Sequence, residues 1–201
     1  IYNIETVSLT QTENDNYQEI KEEISNDMRK YVGKNGKIDF SKIPGWLKLK
    51  LIQAKKIIKK ASEKTEMCGQ IIQRNYDPLG NQNWLVYCED GEQLNAIKTE
   101  LEHRNISPVH EYWTGAKGAV LGPQDDPQQL EFEFDGTLNT WEREGGILLS
   151  IQCLDEGVNI PSISHGIILA SSNNPRQFIQ RRGRMLRLSP GKQFARIWDA
   201  I

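Results

Sequence analysis

The sequence predicts an α/β fold: a mostly parallel sheet flanked by helices, with an N-terminal helical appendage. Three observations carry this reading. From Trp84 onward short apolar runs alternate with helical patterns, which implies parallel strands joined by right-handed crossovers. Two of those runs, Gly146–Ile151 (GILLSI) and His165–Ala170 (HGIILA), are apolar on both faces and suit buried strands. Before residue 81, beyond a short extended opening, the patterns are helical. The expected division is therefore 1–80 as connection and appendage and 81–201 as the core domain.

Residues 1–12 (IYNIETVSLTQT) read as extended. Thr12 or Asn14 can cap a helix running to about Tyr31, with Tyr17, Ile20, Ile24 and Met28 on one face. Gly33 to Gly45 is a loop by its Gly and Pro content. Trp46 to Ala61 is an amphipathic helix with Leu47, Leu51, Ala54, Ile58 and Ala61 as its apolar stripe. Lys48, Lys50, Lys55, Lys56, Lys59 and Lys60 fill its other sides, either as a solvated face or as partners for nucleic-acid phosphates. A short helix from Glu66 to Arg74 and a polar loop through Gln82 follow.

Trp84 to Cys88 is the first core strand. Asp90 can cap a helix to His103, with Gln93 completing a weak capping box. Val109 to Trp113 is the next strand, closed by Thr114-Gly115. Residues 116–136 hold Gly118, Gly122, Gly136, Pro123 and Pro127 and read as an inserted loop, in which the alternating LEFEFD can form an edge strand or hairpin arm. Leu138 to Glu144 is a short helix, and Phe194 to Trp198 a last strand entered from the turn at Pro190-Gly191.

Composition bounds the function classes. The chain has 201 residues, 37% of them hydrophobic, and a net charge of −2, which suits one α/β domain with an appendage. No stretch approaches the roughly twenty apolar residues of a membrane span, and no signal peptide is visible. Cys68, Cys88 and Cys153 are odd in number and widely spaced, which points to a reduced, cytoplasmic protein without a zinc site. His103, His110 and His165 have no partners at ligand spacing and read as surface or loop residues; no metal site is expected. Near-neutral charge argues against nucleic-acid binding over the whole surface but leaves room for a local groove. The chain opens on Ile1 rather than methionine and reads as part of a longer protein.

The densest chemistry lies at Gln180-Arg181-Arg182-Gly183-Arg184-Met185-Leu186-Arg187. Asn174 can cap, Pro175 suits a first helical position, and Phe178, Ile179, Met185 and Leu186 share one helical face. Gln180, Arg184 and Arg187 fall on the opposite face at i, i+4 and i+7. Planar guanidinium groups held this way suit bidentate contact with phosphate oxygens. Gly183 costs helix propensity and admits close approach of another backbone or a phosphate. Alone, the segment can also be a basic solvated helix face.

Upstream, LLSIQCLDEGVNIP leads from the strand at 146–151 toward HGIILA, and QRRGRMLR follows. This order resembles the C-terminal RecA-like lobe of superfamily-two helicases and translocases, with the first run resembling their motif V and the second their motif VI. The wording is nearest to the type III restriction-type branch. The resemblance covers roughly Asn83 to Ile201 well and the first eighty residues loosely.

The resemblance implies a RecA-like fold and the second motor lobe of an ATP-dependent helicase or translocase, a hydrolase acting on nucleic acid, with DNA preferred. It makes Arg184 and Arg187 arginine fingers that reach ATP bound by the first lobe, and sets Gln180 near the γ-phosphate or in a link to that lobe. Gly157 and Asn159 belong to the nucleotide side, with Gly183. Gly157 serves a tight conformation or close approach. Asn159 stands where relatives usually carry Asp, keeping the hydrogen-bonding shape without the charge. Thr114, Gly115, Ser150 and Gln152 follow or end strands where the family contacts the nucleic-acid backbone; each is also an ordinary strand-ending residue. ATP and Mg2+ would be held mainly by the first lobe, and other subunits of a restriction or repair-type system are conceivable partners. This chain contains no G-x-x-x-x-G-K-[ST] loop and no D-E-x-H-type motif, so alone it is expected not to hydrolyse ATP. The alternative is a degenerate lobe acting as a nucleic-acid or protein binding module, which Asn159 and the 116–136 insertion favour.

Overall fold

The computed structural model describes residues 1–33, 38–80, 82–113, 127–151, 163–170, 183 and 194–201, without side-chain description at 113 and 127–135. Among these residues, six strands form one all-parallel sheet: β1 (Tyr2–Glu5), β2 (Asn83–Cys88), β3 (Val109–Trp113), β4 (Gly146–Ile151), β5 (His165–Ile168) and β6 (Arg196–Ala200), in the order β1-β6-β5-β2-β4-β3. β2 lies between β4 and β5, and every residue of β2 is buried. That burial on both faces is the physical reason its sequence, NWLVYC, lacks the alternation of a half-solvated strand.

Alternate strand residues feed two cores. On one face Trp84, Val86, Cys88, Ile147, Leu149, Ile167 and Trp198 meet α3 (Glu63–Asn75) through Cys68, Ile71 and Ile72, and α4 (Gly91–His103) through Leu94, Ile97 and Leu101. On the other, Leu85, Tyr87, Leu148, Ile168 and Ile197 meet Leu138 and Trp141 of α5 (Pro127–Glu144). Trp141 is fully buried and its indole N–H donates to Gly146 O at 3.0 Å, so its polar edge is satisfied as well as its ring. Gly146 has φ +104°, and a Cβ there would come within 2.6 Å of Pro108 O. Only glycine fits between α5 and β4 at that point.

The chain forms two compact units, one of Ile1–Thr6 with Lys64–Ile201 and the other of Val7–Glu63. β1 and α3 thus group with the sheet, where the sequence reading set its division at residues 80–81. In the second unit α1 (Gln11–Met28) packs with α2 (Gly45–Lys59), and Lys50 Nζ reaches Glu23 at 2.5 Å.

Several boundaries differ from expectation. The cap of α1 is Thr10, not Thr12 or Asn14: Thr10 Oγ1 accepts from Glu13 N at 3.3 Å, and Glu13 Oε2 accepts from Thr10 N at 2.8 Å, a complete capping box. Glu13 also accepts from Ser62 N at 2.9 Å, and these donors hold its carboxyl below the usual range despite some burial. LEFEFD is helical, within α5, which begins at Pro127, inside the segment expected to be an inserted loop. Its two-residue alternation is outweighed by a longer helical spacing, Leu130, Phe134, Leu138 and Trp141, behind a proline at the first helical position. The last strand is Arg196–Ala200, two residues later than expected, because its register is fixed by β1 and β5.

His165 is neither a surface nor a loop residue. It begins β5, is 8% exposed, and stacks on Trp84 with ring centroids 4.4 Å apart, while Trp198 stacks on Trp84 from 5.4 Å. Burial, helped by the Arg196 charge, lowers its pKa to about 4. The unfolded chain, with a His pKa near 6.5, therefore binds a proton that the native state refuses between about pH 6.5 and 4. The contribution is fully present above pH 6.5 and lost as pH falls through that window. Urea unfolding at pH 7.5 and pH 5 should show this residue costing about 1–2 kcal/mol at the lower pH. A His165→Phe variant should keep the stack and flatten that dependence; an identical pH slope in the variant would refute the assignment.

Candidate functional site at the carboxyl edge of the sheet

In open parallel sheets ligands gather beyond the carboxyl ends of the strands. Among the described residues that edge is formed by the ends of β1, β6, β5, β2, β4 and β3 at Glu5, Ala200, Ile168, Cys88, Ile151 and Trp113. Trp113 pairs with Ile151 and Cys88 pairs with Ile151 on its other side, so three strand ends lie in register.

After β2 the chain turns directly into α4. Asp90 Oδ1 accepts from Gln93 N at 3.1 Å, and Gln93 Oε1 accepts from Glu89 N at 2.8 Å. The box therefore closes on the residue before the cap, with Gln93 buried. The helix N-terminus is occupied by its own side chains, and with Glu89, Asp90 and Glu92 around it the position does not suit an anion.

Ser150 is the fifth residue of β4, fully buried, with Tyr87 and Tyr112 as its register partners. Strand alternation puts it on the same face as Leu148, toward the α5 core. Gly183 is helical and exposed, and a Cβ built on it meets nothing within 4 Å. Nothing among the described residues therefore demands glycine there. Thr114, Gly115, Gln152, Gly157, Asn159, Gln180, Arg184 and Arg187 lie outside the described residues.

Two residues at this edge were missed in the sequence reading. Lys64, the second residue of α3, is 2% exposed, and its Nζ donates to Leu169 O at 2.9 Å and to Ala200 O at 3.2 Å. A cation at a helix N-terminus opposes the macrodipole. Here it donates to carbonyls at the ends of β5 and β6, which offsets that cost. Asp199, in β6, is 1% exposed and accepts from Tyr2 Oη at 2.6 Å. A carboxylate inside the apolar run IWDAI was the available sign, since a charge is buried only with partners. For Lys64 the signal was lost among neighbouring lysines.

Cys68 and Cys88 are buried free thiols, and burial raises the pKa of both. They do not suit nucleophilic chemistry. Among the described residues no group of His, Cys, Asp and Glu converges to hold a metal ion. No described helix is long and apolar enough to cross a membrane.

Residues 63–189 match the family of the helicase conserved C-terminal domain. A protein of Methanocaldococcus jannaschii, provisionally named an ATP-dependent RNA helicase, is 23% identical over 138 residues. The alignment covers 69% of this chain and 16% of that protein's length. Among solved structures, the C-terminal domain of the Sulfolobus solfataricus SWI2/SNF2 ATPase superposes with a TM-score of 0.60 at 15% identity, covering all of this chain and 78% of that one. The C-terminal part of the Fun30 ATPase domain gives a TM-score of 0.55 at 11% identity, covering all of this chain and 84% of that one. The S. solfataricus ATPase core in complex with double-stranded DNA gives 0.61 at 14% identity, with 40% of that chain covered. At these identities the likeness is one of fold.

Proposed function

We propose, from the premise that this chain belongs to the family of helicase conserved C-terminal domains, that it is the second motor lobe of an ATP-dependent nucleic-acid helicase or translocase. The observation that carries the reading is the family match over residues 63–189, which spans both QRRGRMLR and the strand-ending segments on an all-parallel sheet. ATP and Mg2+ would be held mainly by a first RecA-like lobe elsewhere in the same protein. Arg184 and Arg187 would place guanidinium groups on phosphoryl oxygens as charge develops there, with Gln180 beside them. Gly183, with open space at its Cβ position, fits close approach of that other lobe or of the nucleotide. Gly157 and Asn159 would lie on the nucleotide side.

Nucleic acid would run across the carboxyl ends of β3 and β4, contacted by Thr114, Gly115 and Gln152 through backbone-directed bonds that position rather than specify. Ser150, being buried, would support that surface from beneath. DNA as the preferred substrate, the type III restriction-type branch and partner subunits of a restriction or repair-type system rest on the wording of the two motifs. Asn159 favours a second reading, a degenerate lobe that binds nucleic acid or protein without turnover.

The 201-residue chain by itself should show no measurable ATP hydrolysis and at best weak ATP affinity, since it contains no phosphate-loop motif. Radiolabelled ATP turnover by the purified chain, abolished by Arg184→Ala, would overturn this. In the intact protein, nucleic-acid-stimulated ATP turnover separates the motor from the binding module.

A further inference from the structure

We infer that the outer face of α2 is a second nucleic-acid surface, one that grips the phosphate backbone; this rests on the nucleic-acid reading above. α2 contains five lysines and no acidic residue in its fifteen positions. The unit that carries it, residues 7–63, holds 12 Lys and Arg against 8 Asp and Glu, a net +4. The rest of the chain holds 13 against 19, a net −6, so the near-neutral total conceals two regions of opposite sign. A local positive field on an otherwise acidic protein is the electrostatic signature of a polyanion site.

The neighbouring helix offsets part of this charge, on the side of α2 where Lys50 and Lys56 lie near its acids. α1 carries Glu13, Asp15, Glu19, Glu22, Glu23 and Asp27, yet the ion pair it makes with α2 among the described residues is Lys50–Glu23. Lys48, Lys55 and Lys56 are exposed and have no ion-pair partner there. At helical spacing Lys48, Ile52, Lys55 and Lys59 form one stripe, at i, i+4, i+7 and i+11, with Lys56 and Leu49 along its edge. A rise of 1.5 Å per residue stretches the stripe over about 16 Å, comparable to five base pairs of duplex at about 3.4 Å each.

The face is not purely charged. Ile52 lies within the stripe and Leu49 at its edge, and they are 50% and 62% exposed. The acid-rich α1 gives the unit a repulsive side, so a polyanion is steered onto α2 and away from α1. Lysines as point charges imply a site that reads backbone and not sequence.

Fluorescence anisotropy with a labelled 30-mer, duplex and single strand, tests this on both the 201-residue chain and the intact protein. The variant Lys48→Gln/Lys55→Gln/Lys56→Gln changes exposed positions, which ordinarily leave folding intact. It should weaken binding about tenfold or more at moderate salt and lower the slope of log K against log salt by about 2–3, near 0.9 per lost phosphate contact on duplex. The same three positions changed to arginine should keep the wild-type slope. Lys21→Gln/Lys30→Gln/Lys42→Gln, an equal charge change elsewhere in the unit, should have a much smaller effect. Equal losses from both glutamine triples, or wild-type binding with an unchanged slope in the first, would overturn the α2 surface and leave the motor reading standing. No binding by wild-type protein in either form would overturn both.

Discussion

Replacing Arg187 or Arg184 with alanine in the intact protein should lower nucleic-acid-stimulated ATP turnover by about two or more orders of magnitude, with little loss of affinity for ATP or nucleic acid. A finger acts where charge develops on the phosphoryl oxygens, so its removal raises the barrier more than it weakens the ground state. Fingers in well-studied nucleotide hydrolases are worth about 10³–10⁵ in turnover, which leaves room for partial compensation by the second arginine. Arg184→Lys should rescue poorly, because an ammonium does not reproduce the planar fork. Arg182 lies off the Gln180–Arg184–Arg187 face at helical spacing, so Arg182→Ala, once checked for folding, is the contrast. Comparable losses in a well-folded Arg182→Ala, or near-normal turnover in Arg187→Ala, would reduce the segment to a basic surface and favour the binding-module reading.

The strands most legible from sequence were short runs closed off by turn residues. Val109–Trp113 and Gly146–Ile151 have the expected bounds, and the Asp90 cap and α4 follow from a short polar turn after an apolar run. Misreadings arose where two local patterns competed. Thr10 and Thr12 both precede an acidic stretch, but only Thr10 stands three residues before Glu13, and the reciprocal bond decides the start. LEFEFD alternates like a strand over six residues, while the helical spacing that overrides it is visible over twelve. The partners of His165 and Asp199 were illegible for another reason. They lie far away in sequence, Trp84 and Trp198 for one and Tyr2 for the other, and nothing local encodes those contacts. At the candidate site the residue types and their order were readable, because motifs are local. The geometry is described for Ser150 and Gly183 alone among the proposed contacts, and of these Ser150 is buried and Gly183 exposed.

Lys64 should prove one of the most stability-sensitive polar residues in the chain. Its ammonium group donates to Leu169 O and Ala200 O, at the carboxyl ends of β5 and β6. Water cannot simply take over, because the side chain is 2% exposed. Lys64→Ala removes the donors and opens a cavity at once. An unpaired buried acceptor costs about 1–3 kcal/mol and the cavity adds to it, so the total loss should be about 3 kcal/mol or more, a large share of the roughly 5–15 kcal/mol that stabilises a domain. Lys64→Met refills most of the volume without restoring a donor and should recover part of that loss, which separates packing from hydrogen bonding. Urea unfolding of the 201-residue chain, monitored by tryptophan fluorescence, measures both. A loss below about 1 kcal/mol for Lys64→Ala would mean that the carbonyls find other donors and that the lysine merely occupies space. Full recovery in Lys64→Met would assign the whole effect to packing. The expected ordering, alanine well below methionine and methionine clearly below wild type, ties the ends of two central strands to one buried cation on α3.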